Sequence, residues 1–326
     1  MGDVPIPDPG PGEVRVSVEA ASLNFGDIAR CRGGVASVMA QPPFTLGMDM
    51  CGVVDAAGEG AQDWLGRPVV AIAKQSLGGM AEAAIAPTTG VFDAPEQLDS
   101  VEGAAFILPF HVGYLALHVR AGLGAGETLL VVGAASGVGS AIVQLGAAAG
   151  AHVIALATGD KGRMCKELGA EAVVDYSTED VFDRVMEHTA GRGADVVCDM
   201  VGGERTETIW TCVANGGRYV PVGFNDDSQS GLTGRPLRKV SMGNFSVLGV
   251  MLAYGAVPIE FRRFGVNPFP VETGPRVHAA LLALVASGTI RPVIGRRIGM
   301  SEVGAALEDH EARRTAGRTV VDLALS

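Results

Sequence analysis

The chain has 326 residues, 48% of them hydrophobic and 46 of them glycine, which suits two soluble globular units, each with its own core. A formal net charge of -11 argues against nucleic acid or an anionic membrane as the main partner, so a bound phosphate must be held by local groups. The five cysteines, Cys31, Cys51, Cys165, Cys198 and Cys212, form no C-x-x-C pair and read as buried thiols in a reducing, cytoplasmic setting.

The first residues, MGDVPIPDPGPGEV, carry neither the basic region nor the apolar run of a secretion signal. Up to about residue 105 the pattern is short strands between Gly, Pro and Asp turns. Glu13 to Ala20 alternates with Val14, Val16 and Val18 on one face, and Gly52 to Ala57, Val69 to Ala73 and Met80 to Ala86 follow. The apolar stretch Gly103 to Val119, interrupted by His111 and His118, predicts a buried helix and no membrane span. From there to about residue 245 strands and helices alternate, as in a doubly wound parallel sheet. The strands are Leu129 to Val132, His152 to Ala157, Ala172 to Tyr176, Ala194 to Asp199, Arg218 to Gly223 and Val247 to Leu252. Helices are predicted at Pro275 to Ser287 and Ser301 to Arg314, and a last strand at Thr319 to Ala324, all returning to the first domain.

The stretch Thr128 to Leu145, TLLVVGAASGVGSAIVQL, organises the middle of the chain. Ala134, Ser136 and Gly139 take the three places of a G-x-G-x-x-G fingerprint between a strand and a helix. The turn Ala135, Ser136, Gly137, Val138 and Gly139 would bring backbone close to a pyrophosphate, whose charge a helix N-terminus favours. Where an acid commonly holds the ribose hydroxyls of NAD, the chain has Ala157, Thr158 and Gly159.

The segments PGPGEVRVSVEAASLNFGD, PFTLGMDMCGVV, GGMAEAAIAP, AASGVGSAIVQL, KELGAEAVVDYS, GADVVCDMVGG and GGRYVPVGF together resemble the medium-chain dehydrogenase/reductase superfamily, in its zinc-free quinone oxidoreductase branch. The resemblance covers nearly the whole chain. It implies a GroES-like β-rich catalytic domain over 1–107, an inserted Rossmann NADPH-binding domain over 108–246, and an edge strand with a return to the catalytic domain over 247–326. Relatives place a β-hairpin ahead of PGPGEV; here that segment begins almost at once, through either a misassigned start or a real loss.

Zinc-dependent relatives carry a ligand cysteine where this chain has Asn24 and a ligand histidine where it has Met48, so no metal is expected. Hydride would then pass from NADPH to an acceptor already activated by conjugation, a quinone or an α,β-unsaturated carbonyl. The resemblance puts the cofactor 2′-phosphate at Thr158, Lys161 and Tyr176, with Asp160 a dissenting charge. It puts the nicotinamide near Val222, Gly223 and Phe224, and adds Arg313 near the C-terminus. Asn24 and Asp27 match an N-x-x-D motif, in which Asn24 would donate to substrate or nicotinamide; the alternative is that either residue caps the helix beginning there. His111 and Tyr114 are candidate proton donors, against a core role for a histidine in an apolar run, and Tyr254 is an outlying candidate.

Enoyl reductase domains of polyketide synthases resemble the chain too, but their tyrosine and lysine align with Val35 and Phe224. An enoyl reductase of unsaturated acyl thioesters, for which Arg235, Arg238 and Lys239 could form a basic groove, and an NADPH-binding protein without catalysis are therefore the alternatives. The resemblance also implies a homodimer through Phe245 to Leu252.

Overall fold

The computed structural model describes residues 2–33, 42–223, 238–255, 262 and 265–325. They fall into two compact units, one made of 1–108 with 252–326 and the other of 109–251. The chain thus leaves the first unit once and returns to it.

The first unit is built on a seven-stranded sheet. Its strands are β1 (Glu13–Ser22), β2 (Asp49–Ala57), β3 (Pro68–Ile72), β4 (Ala83–Pro87) and β5 (Val91–Asp93), with β12 (Ile294–Ile298) and β13 (Arg318–Asp322) from the far end of the chain. Their order is β12-β13-β1-β2-β3-β5, with β4 pairing β1. All pairs are antiparallel except β12 with β13. β1 shows why its residues make a strand. Val14, Val16 and Val18 alternate into the core, and the final Ala20, Ala21 and Ser22, paired with β2 on one edge and β13 on the other, are all buried, the Ser22 hydroxyl donating to the Ala104 carbonyl at 2.8 Å. The helices of this unit are α1 (Phe25–Cys31), α2 (Ser100–Ala104), α9 (Thr273–Ala286) and α10 (Val303–Glu311), and α3 (Ile107–Tyr114) begins in it.

The second unit holds β6 (Thr128–Val132), α4 (Gly137–Ala148), β7 (His152–Leu156), α5 (Asp160–Glu167), β8 (Ala172–Val174), α6 (Val181–His188), β9 (Ala194–Asp199), α7 (Thr206–Thr211), β10 (Val213–Pro221), α8 (Arg238–Gly243) and β11 (Ser246–Val247). The six strands run parallel in the order β11-β10-β9-β6-β7-β8. Every residue of β6 is buried, as expected of a central strand covered on both faces. The order turns back at β6, between β7 and β9, and that is where such sheets open a crevice at the strand C-termini.

Two expectations are corrected. The stretch 103–119 is not one helix: the chain breaks at Ala105 and Phe106 between α2 and α3, and Leu115–Arg120 then forms a π-helical turn. Pro109 accounts for the break, since it has no N–H to give to the carbonyl of Ala105 and is tolerated only in the first turn of a new helix. The edge strand expected over Phe245–Leu252 is confined to Ser246–Val247, followed by one further bond from the Leu248 N–H to the Tyr219 carbonyl. Phe245 instead packs its ring beside Trp210 in the core. No helix among the described residues is long and apolar enough to cross a membrane.

Candidate cofactor site and polar cluster

The turn after β6 is shaped by two glycines. Gly133 holds φ +77, a conformation most side chains avoid, and lets the chain leave the strand at once. A Cβ on Gly139 would lie 2.1 Å from the Gly133 carbonyl oxygen, so only glycine lets α4 pack against that turn. Gly133, one residue ahead of the fingerprint, was missed by sequence reasoning, although a glycine straight after a buried strand is a signal. The Ser136 hydroxyl caps α4 by accepting the Gly139 N–H at 3.0 Å. The N–H groups of Gly137 and Val138, the first two helical residues, have no acceptor within the helix and suit a pyrophosphate. Ala135 is buried.

The next two loops form a corner beside that turn. Ala157 is buried at the end of β7, and the Thr158 carbonyl accepts the Lys161 N–H at 3.2 Å, which places Lys161 in the first turn of α5. Asp175 accepts the Gly159 N–H at 3.1 Å and the Ser177 N–H at 2.9 Å. Its bonds from Ser177, foremost, and from Gly159 hold the carboxyl below its ordinary range. They tie the loop after β8, with Tyr176, to the loop after β7. Asp160, the dissenting charge, is engaged by Arg163 at 3.2 Å. The Arg205 guanidinium lies 4.5 Å from the centre of the Tyr176 ring.

Asp199, at the end of β9, was also missed. Its carboxylate accepts N–H bonds from Val201 (2.8 Å) and Gly202 (3.0 Å) and the Tyr219 hydroxyl at 2.7 Å. Its carbonyl accepts those of Val222 (2.8 Å) and Gly223 (3.1 Å), so one buried residue sets both loops. A Cβ on Gly223 would meet the Met200 carbonyl oxygen at 2.5 Å. Phe224, Val35 and Arg235 lie outside the described residues. Lys239 is paired with Glu207 and Arg238 is exposed.

In the first unit the N-x-x-D residues are in a buried polar cluster. The Asn24 amide gives one N–H to Asp49 at 2.7 Å and another to the Ser22 carbonyl at 3.2 Å, and its oxygen accepts from Arg318 at 2.8 Å. Arg318 also pairs with Asp49 at 2.7 Å, both side chains being almost wholly buried. Both donors of Asn24 are therefore engaged within the cluster. Asp27 accepts the N–H groups of Asn24 (2.9 Å) and Gly47 (3.2 Å), closing the start of α1. Burial pushes its carboxyl up to about 6 against those bonds. Burial likewise raises Asp49, against the pull of Arg318 and Asn24.

His111 is fully buried in α3, whereas Tyr114, one turn on, is half-buried with its ring 4.5 Å from that of His118. Tyr254 lies buried in the first unit, its ring 6.0 Å from Phe92, and burial raises its hydroxyl. Arg313 is exposed in the first unit, just after α10. Cysteines 51, 165, 198 and 212 are buried, while Cys31 is exposed, contrary to the expectation of five buried thiols.

Comparison with known proteins fits this arrangement. Residues 10–96 match the alcohol dehydrogenase GroES-like domain and residues 137–264 match the zinc-binding dehydrogenase family. A protein named quinone oxidoreductase from Sus scrofa is 30% identical over 310 residues, 95% of this chain and 88% of that one. A quinone oxidoreductase-like protein 2 homolog from Nematostella vectensis is 31% identical over 217 residues, 66% of this chain and 59% of that one. Among solved structures, the quinone oxidoreductase of Thermus thermophilus, described with its NADPH complex, is 31% identical, with a TM-score of 0.79 over 99% of this chain and 95% of that one. A GroES-like domain, a doubly wound sheet and relatives of this identity along nearly the whole sequence place the chain in the medium-chain dehydrogenase/reductase superfamily, in its quinone oxidoreductase branch.

Proposed function

We propose that the protein is an NADPH-dependent, zinc-independent reductase of quinones and other conjugated carbonyls. The observation that supports it most is the corner after β7 and β8, where Thr158 follows Ala157 in place of a ribose-binding acid and Lys161 and Tyr176 stand beside it. The nicotinamide supplies the hydride when the cofactor is bound. The chain's own residues do the rest. Gly137 and Val138 would offer N–H groups to the pyrophosphate, Gly133 and Gly139 would let the backbone come close, and Val222 and Gly223, held by Asp199, would border the nicotinamide.

The donor set does not fit zinc. Asn24 and Met48 replace the two ligand types, and the Asn24 amide is bound into the Asp49 and Arg318 pair. With no Lewis acid on the carbonyl, the acceptor must be electron-poor by conjugation, and the proton comes from solvent or from Tyr114, the more accessible of the two candidate donors. A homodimer through the 245–252 segment and a cytoplasmic location complete the reading. The dimer is supported by the outer edge of β11, which has no partner strand among the described residues.

The test is anaerobic NADPH oxidation against a naphthoquinone, a cyclic enone and a crotonyl thioester in parallel, with NADH as control. Turnover of the quinone with NADPH preferred is the expected result. Preference for the enone or the thioester moves the protein to carbon–carbon double-bond reduction, and binding of NADPH without turnover of any acceptor overturns the enzymatic reading.

A further inference from the structure

We propose that Arg205 is a specificity determinant for the 2′-phosphate, a planar cation stacked on Tyr176 that takes the phosphate edge-on; this rests on the NADPH reading above. Arg205 follows β9, whereas Tyr176 follows β8, and β6 and β7 lie between those strands in the sheet. Three strand spacings amount to about 14 Å. The contact at 4.5 Å therefore spans the C-terminal ends of β6 and β7, the crevice edge where a dinucleotide lies in such a sheet.

The loop that makes the crossing is fixed at its root. Asp199 holds the N–H groups of Val201 and Gly202, and Gly202 and Gly203 take φ of +68 and +74 to turn the chain outward. Arg205 then lies on the ring face, an arrangement that favours guanidinium over ammonium because the plane stacks while the N–H edge stays open to an anion. Its neighbours do not neutralise it. Glu207 is taken by Lys239, Asp160 by Arg163, and Asp175 by backbone N–H groups and Ser177, and Arg205 pairs with no carboxylate among the described residues. In a chain of net charge -11, an unpaired cation at this corner is a local anion site of the kind the composition demands.

The test is titration of wild type, Arg205→Ala, Arg205→Lys and Tyr176→Phe with NADPH and NADH by nicotinamide fluorescence, with 2′,5′-ADP and 5′-AMP as competing probes. In Arg205→Ala, NADPH and 2′,5′-ADP are expected to weaken about tenfold while NADH and 5′-AMP stay within about twofold, with Arg205→Lys, and Tyr176→Phe, which loses a hydroxyl placed at the phosphate, between Arg205→Ala and wild type. Equal weakening of all four probes, or none, overturns the inference. A wild type with no preference for NADPH over NADH overturns the cofactor reading and this inference with it, whereas a preference that survives Arg205→Ala overturns this inference alone.

Discussion

Asn24 holds Arg318 and Asp49 at the same time, so Asn24→Ala leaves a buried guanidinium N–H and a carboxylate oxygen each short of a partner. A loss of about 1–3 kcal/mol in urea unfolding is expected; lost turnover at unchanged stability would put Asn24 in the chemistry instead. Two other buried groups set opposing pH dependences. Asp27, raised from 3.8 to about 6, keeps a proton that the unfolded chain has lost, so its contribution to stability falls as pH rises across that window. His310, lowered from 6.5 to about 4 by burial first and then by Arg318 and Arg296, refuses a proton that the unfolded chain takes, so its contribution is lost as pH falls across nearly the same window. Asp27→Asn removes the first slope and exposes the second. Its urea midpoint is expected to drop more steeply than that of wild type between pH 6 and 4, and parallel profiles would refute the assignment. The bond from the Asn24 N–H to Asp27 was legible in the sequence because its partners are local. The Asp49–Arg318 pair was not, since 269 residues separate the two. Arg205 was missed because the ring it covers belongs to a loop three strands away in the sheet.

The strand, turn and helix from β6 to α4 depend on two kinds of contact that can be broken separately. Ser136→Ala removes the hydroxyl that caps α4 and is expected to cost about 1 kcal/mol. Gly139→Ala drives a methyl against the Gly133 carbonyl, and thermal unfolding is expected to show a loss of about 1–3 kcal/mol or more, with NADPH fluorescence lost as the turn shifts. If Gly139→Ala binds NADPH like wild type, the turn is not the pyrophosphate site. This element was the most legible in the chain, because a strand, a fingerprint of small residues and a helix follow one another at the spacing of one such unit. The run 103–119 was less so. Its apolar character predicted burial correctly, but burial carries no period, and only Pro109 marked where one helix had to stop and another begin. The 245–252 segment misled in the same way: its apolar residues satisfy both a core position, taken by Phe245, and an edge strand, of which two residues form.

At the scale of the whole molecule the two units are closed in different ways. Every strand of the parallel sheet comes from one continuous stretch, β6 to β11, whereas the first sheet is completed by β13, which enters between β12 and β1 from the end of the chain. The sequence predicted a terminal strand returning to the first domain; its slot beside β1 was not legible, because both faces and both edges of a short apolar strand look alike in one dimension. The topology makes the C-terminus indispensable to one unit only. Removing residues 318–326 strips β1 of its partner at Ala20, Ala21 and Ser22, takes the buried Val320 and Val321 out of the core, and leaves Asp49 without Arg318. A buried carboxylate without its cation alone costs about 3–5 kcal/mol, a large part of a typical domain's stability. The truncated chain is therefore expected to lose its first unit to limited proteolysis while a fragment near 109–251 resists, since none of that unit's strands has been touched. Cleavage of both units at one rate would mean that the parallel sheet does not stand without the first, and resistance of the whole truncated chain would mean that β13 is dispensable.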